Sequence, residues 1–181
     1  MGRTATRTLV AALMVCVFAM SALARDFTVI TEGNKLGFRE GNRTYTLGMD
    51  ARQFEQGFGP PEDEEISGGE VRAVRYNSQG VLVVTDVKDG KVHYFVFHLK
   101  GVSNPREAAR YHFKPATAKT DKGLTVDATI EQVMAAYGKP FERKDYIDER
   151  RPGDMLRYVR HGQGLKFYFV EGKLTKIIVS R

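Results

Sequence analysis

The side chains in this 181-residue chain best suited to binding a metal or passing a proton are four histidines, His93, His98, His112 and His161. His93 and His98 stand five apart in one extended run. That odd separation points them to opposite faces, so they cannot chelate one ion from that strand. A zinc site would need its remaining ligands from elsewhere in the chain. The acidic run Glu62-Asp63-Glu64-Glu65 offers oxygen ligands but lacks the alternating spacing and glycine bend of a calcium loop. Lying between Pro60-Pro61 and Ser67-Gly68-Gly69, it reads as a solvated loop. The basic run with Arg143-Lys144 and Arg150-Arg151 is broken by Asp145, Asp148 and Glu149 and reads the same way. No serine occupies a Gly-x-Ser-x-Gly elbow, and Ser67-Gly68-Gly69 lacks the lysine and helix start of a phosphate loop. The sequence therefore assigns no catalytic residue, no metal site and no cofactor, and the chain reads as a non-catalytic protein.

The N-terminus supplies a compartment. Arg3 and Arg7 precede an apolar stretch from Leu9 to Met20, and Ala22-Leu23-Ala24 precedes Arg25. A basic start, a short apolar middle and small residues at −3 and −1 make a secretory signal, with cleavage expected after Ala24. The stretch is too short for a membrane-spanning helix, so no integral membrane segment is expected after cleavage. Cys16, the single cysteine, follows Val15, where a lipidation box needs a small residue. The mature chain then holds no thiol and no disulfide. Removing 24 of 181 residues leaves 157, and losing two arginines takes the formal charge from +6 to +4. That mild balance does not call for nucleic acid; it permits attraction to an anionic partner. The expected location is periplasmic or secreted.

The elements that must position any site come in two matching sets. Phe58-Gly59-Pro60-Pro61 aligns with Tyr137-Gly138-Lys139-Pro140, 79 residues on. Arg75-Tyr76 aligns with Arg157-Tyr158, and Asp89-Gly90-Lys91 with Glu171-Gly172-Lys173, both 82 on. Ile130, Val133, Met134 and Tyr137 form one stripe of a helix opened by Asp127 and closed by Gly138. The first set places Phe54 and Phe58 in equivalent positions, but Gly57 should weaken that helix, which also reads two residues shorter. Three extended runs follow each helix: 71–76, 81–87 and 92–99, then 155–160, 165–170 and 174–179. The glycines Gly90 and Gly172 suit the hairpins between the second and third runs.

The predicted fold class is α+β: two tandem helix-plus-three-strand repeats, forming an antiparallel sheet with helices on one face. The predicted organisation is a signal peptide over 1–24 and an N-terminal hairpin with the first repeat over 25–98. A connecting helix and strand over 99–122 then lead to the second repeat over 123–181. The hairpin is expected from Phe27–Thr31 and Lys35–Phe38. The connecting helix should start at Ser103 or Asn104 with Pro105 and run to Tyr111, and 114–120 should return as a strand.

Strand alternation predicts a binding surface. If Leu165, Phe167 and Phe169 face the helix, Lys166 and Tyr168 face away; with Phe95 and Phe97 inside, Tyr94 is outside. The 82-residue offset puts Arg75 with Arg157, and Tyr94 with Lys176, on that outer face. Tyrosine and arginine are the types in which binding energy concentrates. The candidate binding residues are Arg75, Tyr94, Arg157, Lys166 and Tyr168, and the expected partner is another envelope or secreted protein.

Tyr137-Gly138-Lys139-Pro140, with the closing run from Gly164 through Glu171-Gly172-Lys173-Leu174, resembles the tandem-repeat fold of the β-lactamase inhibitor protein family. It is also similar to the unit in the small lipoprotein of the outer-membrane β-barrel assembly machinery. The resemblance implies one sheet face covered by helices and one free to meet a protein. Neither family's specific function follows from the fold alone; an envelope assembly or stress factor and a hydrolase inhibitor are the alternatives to a general protein-binding role. The chain departs from both families, lacking the disulfides of the first and the lipidated cysteine of the second.

Overall fold

The computed structural model describes residues 25–101, 112–148 and 151–181. The expected signal sequence with Cys16 and the connecting helix expected up to Tyr111 lie outside these residues. Twelve strands are paired into two sheets. The smaller sheet holds β1 (Asp26–Ile30), β2 (Gly37–Glu40), β3 (Arg43–Thr46) and β8 (Thr117–Thr120), ordered β3-β2-β1-β8. The larger holds β4 (Asp63–Ser67), β5 (Val71–Tyr76), β6 (Val81–Asp86), β7 (Val92–His98), β9 (Glu142–Asp148), β10 (Arg151–Arg160), β11 (Gln163–Val170) and β12 (Lys173–Ser180). Its order is β4-β5-β6-β7-β12-β11-β10-β9, so two four-strand meanders meet at β7 and β12.

The α+β expectation is overturned. Twelve strands against two eight-residue helices, α1 (Ala51–Phe58) and α2 (Ile130–Tyr137), make a mostly-β protein. Each half of the large sheet has four strands after its helix, not three. The extra strands are the two charged runs that read as loops, now β4 and β9. Charge hid them: an edge strand whose side chains form ion pairs needs no apolar alternation. Nor is the strand set wholly antiparallel, because β8 runs parallel to β1. The N-terminal hairpin is present as β1 and β2, and the returning strand as β8.

The helices differ from expectation in detail. Asp50 caps α1, its Oδ1 accepting from the backbone of Arg52 at 3.0 Å. Thr129, rather than Asp127, caps α2, in a reciprocal pair with Gln132. Asp127 instead adopts a left-handed φ of 68°. The two helices are equal in length. Gly57 is explained by its neighbour, because a Cβ there would stand 3.2 Å from the Tyr45 ring.

Alternation fixes the inner face of the large sheet. Val74, Val83, Phe95, Phe97, Leu156, Phe167, Ile177 and Val179 are buried there. Helices and the small sheet together cover it. Phe38, from β2, packs against the rings of Phe27, Tyr45, Phe54, Phe58, Phe95 and Phe97 at 4.8 to 6.4 Å. Tyr137 of α2 meets Phe167 at 5.1 Å. The hydroxyls of Tyr76 and Tyr158 donate to the helix-terminal carbonyls of Gly59 and Gly138, at 3.0 and 3.1 Å. One tyrosine in each half thus ties a helix end to its sheet.

Candidate functional surface

The opposite face of the large sheet carries every candidate binding residue. Strand register arranges it in rows. One row crosses all eight strands: Asp63, Arg75, Leu82, Val96, Ile178, Lys166, Arg157 and Glu142. It is apolar at the centre, where β7 meets β12, and ends on an arginine and an acid at each side. Arg75 and Arg157 are five strand spacings apart, about 24 Å, too far to grip one side chain. A neighbouring row holds His98, Lys176, Tyr168 and Met155; another holds Val84, Tyr94, Ser180 and Gly164. Arg157, Lys166 and Tyr168 are therefore neighbours, whereas Tyr94 and Arg75 stand apart from them.

Arg75 is not available as expected. It is buried, donating through Nη1 to Asp63 at 3.2 Å and through Nη2 to Glu65 at 2.8 Å. The acidic run thus neutralises it, while Glu64 and Glu55 hold Arg72 on the inner side. Arg157 is half-buried; its Nη1 lies 3.7 Å from Glu142 and its guanidinium carbon 5.5 Å from the centre of the exposed Phe141 ring. Its Nε is buried with no hydrogen-bond partner among the described residues. The hydrogen bond from Lys144, aided by the charge of Arg157, holds the Glu142 carboxyl below its usual range.

The middle and C-terminal side of the face keep unneutralised cations. Lys166 and Lys176 form no ion pair among the described residues, and Lys176 stands 4.6 Å over the Tyr168 ring. Tyr146 packs edge-on to Tyr168 at 5.3 Å. A Cβ on Gly153 would meet the Tyr146 ring at 2.4 Å, so the absent side chain is what lets that ring lie across the face. Burial pushes the Tyr168 phenol upward. Tyr94 is 38% exposed.

Sequence reasoning missed the apolar centre of this face. Leu82, Val84, Val96 and Ile178 all point outward. The signal was present, since Val81-Leu82-Val83-Val84 is apolar at consecutive positions and a half-solvated strand alternates. His98, read from the sequence only as unable to share a metal with His93, was not assigned to this face. It lies on this face stacked on Phe113 at 4.4 Å, and burial, with Lys176 nearby, lowers its pKa to about 3.

Among the described residues, one cluster of metal-ligating types lies elsewhere. Asp86, Asp89 and His93 at the β6–β7 hairpin bring their ligand atoms within 4.8 Å. Asp86 Oδ1 already accepts from the backbone of Lys88 and Asp89, Asp89 Oδ1 accepts from Lys91, and Arg181 lies 3.7 Å from Asp89. Those partners suit a tight turn.

No family model matches the chain. No curated protein matches it either. Among solved structures, a chain from Streptococcus mutans, described as a "putative beta-lactamase inhibitor protein", aligns over 94% of this chain and 95% of its own, at 11% identity and a TM-score of 0.27. That score is below what a shared fold requires, so the architecture above rests on this chain's own strand pairing. Nothing in these comparisons supports the likeness to the outer-membrane assembly lipoprotein. No helix among the described residues is long and apolar enough to cross a membrane.

Proposed function

We propose that this is an exported, non-catalytic module that binds another protein through the outer face of its eight-stranded sheet. The observation that carries this reading is the pairing of an apolar centre with unneutralised cations. The half-exposed Leu82 and Ile178 flank the buried Val96 in the middle of the long row, and Lys166, Lys176, Tyr94 and Tyr168 stand around them. A partner of matching chemistry presents an apolar patch bordered by carboxylates. Tyrosines would add aromatic contact, and lysines charge-assisted hydrogen bonds. Within this reading Arg75 shapes the face rather than touching the partner. No residue of the face favours the envelope-assembly role over the inhibitor role.

The test is site-specific. A photo-crosslinker at Lys166 should capture one protein from envelope extract or culture medium, and the same label at Glu131 on α2 should not. Lys166→Glu combined with Tyr168→Ala should weaken binding of the captured protein at least about 30-fold, or ~2 kcal/mol, while thermal melting is preserved. Unchanged affinity with an intact fold would end the proposal. N-terminal sequencing of the exported protein should start at Arg25; an uncut chain or an acylated Cys16 would remove the export part of it.

A further inference from the structure

A cavity of about 290 Å³ opens on the outer face, between the central strands and the chain at Phe113. Its walls are apolar: Leu82, Val96, Ile178 and the ring of Phe113. Its polar lining is Arg75, His98 and Lys176. His98 is 8% exposed, and its Nε2 is buried without a hydrogen-bond partner among the described residues. Such an orphaned atom costs stability unless something in the cavity satisfies it.

We infer that this cavity is a binding site for a small amphiphilic carboxylate, its apolar body against Leu82, Val96, Ile178 and Phe113 and its carboxylate on the Lys176 ammonium, where a small turn of the His98 ring, whose Nε2 is now covered, would bring Nε2 to it. Three observations converge on that chemistry. The volume lies at the lower end of small-ligand pockets, which suits a short chain or a single ring. The walls favour an apolar body over an inorganic anion. The polar end offers a cation with no carboxylate partner among the described residues, beside an imidazole whose Nε2 still lacks a partner, so it selects an anion that accepts hydrogen bonds. Arg75 lines the rim but adds no net positive charge there, because it stays tied to Asp63 and Glu65. Because His98 is kept neutral, binding adds a hydrogen bond there rather than a second ion pair. The inference does not rest on the protein-binding reading, since the ligand is tested with no partner present.

The probe is sodium octanoate, titrated into the purified protein while the ring signals of His98 and Phe113 are followed by NMR. Octanol and octylamine share its tail and serve as comparisons. Octanoate should give a saturable shift of both rings, with octanol at least about tenfold weaker, or ~1.4 kcal/mol, and octylamine weaker still. Lys176→Gln should weaken octanoate about tenfold and leave octanol unchanged. Val96→Trp should fill the cavity and abolish both; if that variant melts early, Leu82→Phe replaces it. The site is overturned if octanoate gives no saturable shift at His98, which would mean water alone occupies the cavity. It is equally overturned if octylamine binds as well as octanoate, or if Lys176→Gln leaves octanoate binding unchanged.

Discussion

Arg75 and Arg157 occupy equivalent places in two matching stretches of sequence, and both lie on the outer face beside an edge strand. Their circumstances nevertheless differ. Arg75 is buried between two carboxylates of β4, whereas Arg157 is half-exposed and stands at 3.7 Å from the one acid β9 offers it. The edge strands decide this. Asp63-Glu64-Glu65 supplies acids on both faces of β4, whereas β9 spaces Glu142 and Lys144 on the outer face and so neutralises itself. A shared motif fixes where an arginine sits in a sheet; its neighbour across the strand fixes whether it is free to bind anything.

The difference between the two halves begins in the core, and there the largest effect is expected. Phe38→Ala removes the ring at the centre of the N-terminal aromatic cluster and should cost about 3 to 5 kcal/mol by chemical denaturation. Phe167→Ala should cost about as much in the C-terminal half, and Lys166→Ala, one residue away on the other face, close to nothing. Comparable losses at 166 and 167 would break the face assignment on which the comparison stands.

Acid is the next lever. His98 is neutral in the folded protein down to about pH 3, while the unfolded chain takes up its proton near the ordinary value of 6.5. Between those limits the unfolded state holds more protons, so stability falls as pH drops from about 6.5 toward 3, by up to ~1.4 kcal/mol per unit. Denaturation midpoints across this range should flatten in His98→Gln. An equally steep profile in the variant would show that His98 is not the buried group responsible.

Arg75→Ala leaves Asp63 and Glu65 facing each other and empties a packed site, for about 2 kcal/mol. Arg157→Ala should cost less than about 1 kcal/mol, as expected of a pair near the surface. Equal costs would erase the distinction drawn above. Smaller and symmetric effects are expected of Tyr76→Phe and Tyr158→Phe. Each loses one hydrogen bond to a helix-terminal carbonyl, for about 1 kcal/mol.

The sequence carried the inner and outer sides of β11 and the inner ends of β7 plainly, because Leu165, Lys166, Phe167, Tyr168 and Phe169 alternate in type. It carried the hairpins at Gly90 and Gly172 for the same local reason. The strands β4 and β9 were hidden, since their stability comes from Arg72, Arg75 and Asp154 across the ladder rather than from apolar side chains of their own. The second sheet was half visible: a hairpin is local, but the parallel pairing of Phe27 with Ala118 joins residues far apart. The cavity was illegible, because it arises where β6, β7 and β12 meet Phe113, and no short window of sequence contains those partners.

The meeting of β7 and β12 also sets the order of assembly. Val96 and Ile178 pair across the middle of the sheet yet stand 82 positions apart, and β12 comes after every other strand. Neither meander can be joined to the other until that segment is available, so β12 must have left the ribosome before the sheet can close. Closing so long a loop is entropically costly, and topologies of this kind fold in milliseconds to seconds rather than microseconds. Until β12 arrives, β7 keeps an unpaired edge in the middle of the future sheet, open to any other strand that reaches it first.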